Sequence, residues 1–191
     1  MQQTMEYGSD TNGWINSFAL VAYIKDPLAN FLDDLRRRLV PECRPHAHVT
    51  ILPPRPLSGT IALALKSIRE YARDRSSFQL EATGLAVFPE TNVIYIELGL
   101  GRDVLMEMHR DLNRGPLEFQ EPFPYHPHIT LAQELTAEAA VGALATASRL
   151  WKEYRDTRII DVEDLTFVQN SLRGCWSDLA SVALAQPVNK R

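Results

Sequence analysis

His46-Ala47-His48-Val49-Thr50-Ile51-Leu52 returns, little altered, as His126-Pro127-His128-Ile129-Thr130-Leu131-Ala132. The copies lie 80 residues apart, from 48 to 128. Side chains alternate faces along a strand, so His48 and Thr50 share one face while Val49 and Ile51 take the other. His128, Thr130, Ile129 and Leu131 repeat that division. Each stretch therefore reads as a strand with one polar face and one buried face. The same offset carries Leu85-Ala86-Val87-Phe88 onto Leu165-Thr166-Phe167-Val168, and Ser58, read as a helix cap, falls close to a matching cap at Thr136. A shared offset over strand, helix and strand reads as duplication. Each unit is then β-α-β-α-β with the His-x-Thr strand in the middle. Two units facing each other bring two half-sites into one groove near a pseudo-twofold axis.

Outward from these strands, residues 14–24 are aromatic and β-branched and predict a strand. Asp26-Pro27 opens a helix whose Leu28, Phe31, Leu32, Leu35 and Leu39 recur at helical spacing, and Pro41 stops it. The strand at 46–52 is expected to end at Pro53-Pro54. The helix after Ser58 is expected to bury Ile61, Leu65, Ile68 and Ala72. Strands at 78–88 and 92–98 form a hairpin, residues 102–113 a helix ended by Gly115-Pro116, and 126–132 the second histidine strand. A helix follows from Thr136 to about Tyr154, then strands at 158–169 and 175–185. No Gly/Ser linker interrupts the pattern. The expected fold class is α+β: bilobal, duplicated β-α-β-α-β units with mostly antiparallel sheets around a central cleft. Residues 14–191 are read as a single bilobal domain and 1–13 as a flexible N-terminal tail.

Composition narrows the function. The 191 residues are 45% hydrophobic and 23% charged, an ordinary globular balance. No apolar run approaches the roughly 18 residues of a membrane-spanning helix, so no membrane partner is expected. The first 13 residues lack the basic and apolar regions of a signal peptide. Cys43 and Cys175 are the only cysteines and form no CxxC pair, which favours a reducing cytoplasm. A net charge of −4 gives no extended nucleic-acid surface, but it leaves room for a nucleotide or an RNA end in a local pocket. A monomer is expected.

Four of the five histidines fall in the two repeated stretches. Two imidazoles facing each other can be one neutral and one protonated near pH 7, because histidine titrates near about 6.5. A threonine hydroxyl two residues on can donate to a phosphoryl oxygen. His46 and His126 are read as accessory substrate contacts. Arg55, like Arg44, is a candidate phosphate contact, and Tyr125, like Phe123, a candidate stacking partner for a base. The two His-x-His pairs could also supply four metal ligands. No carboxylate lies nearby in either motif to complete such a site, and Cys43 has no counterpart at Phe123. A metal-dependent hydrolase therefore stands as the alternative. Arg36-Arg37-Arg38 reads as a solvated helix face, Trp151 and Trp176 as core, and His109 receives no role.

HVTIL at 48–52 and HITLA at 128–132 resemble the two signature motifs of the two-histidine (2H) phosphoesterase superfamily. Within it, the 2′-5′ RNA ligase and cyclic nucleotide phosphodiesterase branch is the most similar. The resemblance spans about residues 17–185 through motif order, spacing and the repeated plan. It implies a bilobal α+β fold and catalysis by His48, Thr50, His128 and Thr130, with no metal and no cofactor. It further implies action on 2′,3′-cyclic phosphates, 1″,2″-cyclic phosphates or 2′-5′ linkages, with ligation as the reverse reaction. A binding module that keeps the fold and holds a nucleotide without turnover is the reading from another class. The intact histidines and threonines speak against it.

Overall fold

Eight strands and four helices follow one another in a computed structural model that describes residues 13–42 and 46–186. The expected tail, Cys43 and Arg44 lie outside the described residues, apart from Gly13, whose carbonyl accepts the Leu172 N–H at 2.8 Å. Strand β1 (Trp14–Tyr23) leads to α1 (Leu28–Leu39), which buries Leu28, Leu32 and Leu35 at i, i+4 and i+7. Then come β2 (His48–Arg55), α2 (Ile61–Arg73) and β3 (Phe78–Phe88). The second unit runs β4 (Val93–Leu98), α3 (Arg102–Leu112), a 3-10 turn (Gly115–Leu117), β5 (His128–Ala132) and α4 (Ala137–Glu153). It ends with β6 (Ile159–Val162), β7 (Asp164–Ser171) and β8 (Trp176–Ala183).

Several expectations need correction, each for a local reason. β2 does not stop at the prolines but runs through them to Arg55. It is the outermost strand of its sheet, where a missing N–H costs no ladder bond. The cap of α2 is Thr60, not Ser58: the Thr60 hydroxyl accepts the Leu63 N–H at 3.2 Å, while Ser58 donates to the Gly115 carbonyl. With the helix starting later, Ala64 takes the buried position and Ile61 is 38% exposed. The single strand expected over 158–169 is two strands in different sheets. The buried positions Ile160 and Val162 give way to Leu165 and Phe167, a change of parity at exposed Glu163 where the chain crosses over. Trp151 is core, but Trp176 on β8 is 41% exposed.

Both four-stranded sheets are antiparallel throughout, ordered β2-β1-β7-β8 and β5-β4-β3-β6. The fold is thus α+β with two matching lobes, as expected. The units trade strands. β3 pairs with β4 of the second unit, and β7 pairs with β1 of the first. The helices cross over too: α1 packs against β5 and α3 against β2. One continuous core runs through both sheets, from Leu20 and Phe167 on one side to Ile94 and Ile129 on the other. Among the described residues no helix is long and apolar enough to cross a membrane.

Candidate active site

β2 and β5 are each the end strand of a sheet, and they lie against one another where the lobes meet. Alternation does the rest. Val49 and Ile129 are fully buried on the core face, which leaves His48, Thr50, His128 and Thr130 half-buried on the opposite face. The strands carry the two histidines close enough that the charge of His128 disfavours protonation of His48.

The two imidazoles are held alike. His48 Nδ1 lies 2.6 Å from the His46 carbonyl, and His128 Nδ1 lies 2.6 Å from the His126 carbonyl. A carbonyl only accepts, so each Nδ1 carries a hydrogen and donates it. In the neutral ring that leaves the lone pair on Nε2. Each strand thus supplies an oriented Nε2 and, two residues on, a hydroxyl.

The surroundings differ between lobes. Opposite His48 in the β1–β2 register stands Tyr23, and opposite His128 in the β4–β5 register stands Glu97. Tyr23 meets the His46 and His48 rings edge-on at 5.8 and 6.3 Å and donates its hydroxyl to Asp178 Oδ1 at 2.7 Å. Burial pushes His48 down to about 4, and the Arg36 guanidinium adds to the depression. In the second lobe Glu97 accepts from Tyr95 at 3.1 Å and pairs with His126 Nε2 at 3.1 Å. Burial and that carboxylate push the Tyr95 phenol up to about 12. Phe88 stacks on Tyr95 with ring centres 4.0 Å apart, and His128 meets both rings at 5.1 and 5.2 Å. Burial lowers His128 too, while Glu97 works in the opposite direction.

The structure therefore brings His46 and His126 to the rims of the paired histidines, His46 exposed and His126 tied to Glu97. Arg55 departs from expectation: it is 2% exposed and pairs with Glu121. Its remaining donors go to the Pro53 and Leu117 carbonyls and to Asn113 Oδ1. A guanidinium so enclosed, with four acceptors already around it, is closed off from a phosphate. Tyr125 donates to the Thr50 carbonyl at 2.8 Å and stacks on His109 at 3.9 Å, so its hydroxyl and one ring face are occupied. His109 bonds the Ile51 carbonyl through Nδ1 at 3.1 Å and faces Glu121 through Nε2 at 3.4 Å. Phe123 is exposed. Sequence reading missed Tyr23, Glu97, Arg36, His109 and Glu121. Tyr23 and Glu97 act through strand register, Glu121 through loop closure, and Arg36 and His109 from helices packed on the site, none of which a local motif announces. Among the described residues no three His, Cys, Asp or Glu side chains gather as a metal site.

The sequence model of the 2′-5′ RNA ligase superfamily matches residues 24–173. A Bacillus pumilus protein provisionally named a phosphoesterase is 27% identical over 132 residues, covering 68% of this chain and 77% of that protein. The fold is similar to that of E. coli LigT crystallised with 3′-AMP, with a TM-score of 0.62 and 19% identity over 90% of this chain and 99% of that one. A Thermus thermophilus protein, TT0787, gives a TM-score of 0.61 at 16% identity, over 89% and 98% of the two chains. The family match takes in both His-x-Thr strands, and the chain belongs to the 2′-5′ RNA ligase superfamily.

Proposed function

We propose that the chain is a metal-independent phosphoesterase acting on nucleotide or RNA 2′,3′-cyclic phosphates or 2′-5′ phosphodiester linkages. The observation that carries the reading is the twinned pair of Nδ1-to-carbonyl bonds. Each leaves an imidazole Nε2 free on a strand face that also carries, two residues on, a threonine hydroxyl. One imidazole takes a proton from water as its oxygen attacks phosphorus, and the other gives a proton to the departing ribose oxygen. Thr50 and Thr130 donate to the non-bridging oxygens as charge builds there. With an RNA 5′-hydroxyl in place of water as the nucleophile, the same transfers would form a 2′-5′ bond. LigT has been crystallised with 3′-AMP, ATP and NADP+, which favours a nucleotide as the group held. The reading takes residues 14–191 as one bilobal domain working as a monomer in the cytoplasm.

The test is turnover of 2′,3′-cyclic nucleotides and a 2′-5′ dinucleotide with and without EDTA. His48→Ala and His128→Ala should each lower kcat by about 10²–10⁴-fold. The double variant should be little worse than the worse single, since both serve one proton cycle. Activity that EDTA abolishes and zinc restores would instead favour a metal-bound hydroxide.

A further inference from the structure

The cleft is twinned in its histidines but not in the rings beside them. On the second lobe Tyr95 stands opposite Thr130 on one side and Ala86 on the other, and Phe88 follows Ala86 on the same face. The Phe88 and Tyr95 rings stack, 4.0 Å apart and 16° from parallel. His128 lies 5.1 and 5.2 Å from the two ring centres, and His126 lies 5.4 and 5.5 Å from them. An imidazole equally far from both members of a stack sits at its rim, not over its end. Tyr95 is buried and Phe88 half-buried, so the outer face of Phe88 is covered by neither Tyr95 nor the histidines. On the first lobe Val21 stands opposite Thr50 and Thr166 in the place of Tyr95, and Val168 takes the place of Phe88. Neither is open. Tyr23 packs against Ala19, Val21 and Val168, all buried, and commits its hydroxyl to Asp178. One lobe offers a bare aromatic face beside its histidine, and the other fills the same place with its own tyrosine.

Resting on the phosphoesterase reading above, we propose that the nucleobase of the substrate stacks on the outer face of Phe88, so that the nucleoside lies on the second lobe. A base laid flat on Phe88 is one ribose away from a phosphoryl group held between the two imidazoles, since His128 borders the stack. Stacking asks only for a π-face, so the subsite accepts every base. Purines are held more tightly than pyrimidines, because two fused rings cover more of the phenyl ring than one does. The first lobe has no matching subsite, because Tyr23 already lies against the residues that would form it. The duplicated cleft therefore seats its substrate in one orientation, set by aromatic residues and not by the two motifs.

Calorimetric titration of the intact protein with 3′-AMP, 3′-UMP and inorganic phosphate separates the base from the phosphate. 3′-AMP should bind several-fold more tightly than 3′-UMP, and both more tightly than phosphate. Phe88→Leu keeps an apolar side chain but no π-face. It should weaken 3′-AMP by about tenfold and bring its affinity close to that of phosphate, and Phe88→Trp should restore the difference. Nuclear Overhauser contacts between the adenine H8 or H2 and the Phe88 ring protons of the wild type locate the base without relying on any variant. Adenine contacts to Tyr23 in place of Phe88 overturn the proposal, and so does an equal loss of 3′-AMP and phosphate affinity in Phe88→Leu. If 2′,3′-cyclic AMP is not turned over while 3′-AMP still contacts Phe88, the phosphoesterase reading fails and the base subsite stands. Turnover with the adenine seated elsewhere does the reverse.

Discussion

A histidine becomes a useful base or acid only when one nitrogen is fixed and the other is free, and here a backbone carbonyl does the fixing for both rings. Both rings are also pushed below their ordinary titration range by burial, His48 to about 4. The sign for activity follows. A base must be neutral and an acid protonated, so kcat/KM should rise as pH climbs through the lower midpoint and fall as it passes the higher one. With one midpoint near 4 and the other below the ordinary 6.5, the optimum should lie on the acid side of neutrality. A profile still rising at pH 8 would be incompatible with this arrangement. Thr50→Val and Thr130→Val remove only a donor and keep the β-branched shape of the strand. Each should lower kcat by about 10–10³-fold with an unchanged melting temperature. The Tyr125 bond survives Thr50→Val because it is made to the backbone carbonyl. At this scale the sequence was most informative, because alternation along a strand decides which residues share a face. Arg55 marks its limit: nothing local shows that residues 113–121 close over that guanidinium.

The closure is an element-scale device. The end of α3 and the segment from it to β5 fold back on β2 through Arg55–Glu121, through His109 of α3 to the Ile51 carbonyl and through Tyr125 to the Thr50 carbonyl. Two of the three ties end on the backbone of the strand that carries His48 and Thr50. Tyr125 also leads, three residues later, into His128. The segment therefore links the two histidine strands physically. Removing one member of a buried ion pair strands the other charge, at a cost of about 3–5 kcal/mol. Arg55→Met should lower unfolding stability by about that amount in urea, more than any substitution at Arg37 or Arg38, which are exposed. Arg55→Met combined with Glu121→Gln should recover part of the loss, since no charge is then left alone. Recovery would be incomplete because Asn113 and the Pro53 and Leu117 carbonyls lose a donor in either case. Equal losses in single and double variants would show that the hydrogen bonds, not the charge pair, carry the stability. Helices and strands at this scale were legible from periodicity. The missed boundaries lay where an edge strand tolerates proline, where a second threonine outcompeted a serine as cap, and where a stripe changed parity at Glu163.

Duplication alone would allow two independent halves, but strand exchange forbids it. The short turn after β3 settles the matter. Thr91 and Asn92 N–H groups both bond the Phe88 carbonyl, and Asn92 takes a positive φ of 56°. That tight reversal pairs β3 with β4, the first strand of the next unit. The hairpin was readable in the sequence; its pseudo-twofold counterpart, β7 beside β1, emerges only in the structure. What could not be read was the order of strands across each sheet, because pairing between distant segments leaves no local periodicity. Each lobe now depends on a strand from the other unit, and α1 and α3 likewise cover the other unit's histidine strand. A fragment ending at residue 91 would keep β1 and β2 but lose β7 and β8 from their sheet, and its β3 would have no partner. Neither 13–91 nor 92–186 should therefore show a cooperative thermal transition alone. Mixed in equal amounts, they should regain one transition, and with it the paired histidines. Heating the intact chain should likewise give one transition by circular dichroism and by tryptophan fluorescence, because the core is continuous across both sheets. If either fragment melts cooperatively by itself, the traded strands are dispensable and the junction between β2 and β5 must be held by other contacts.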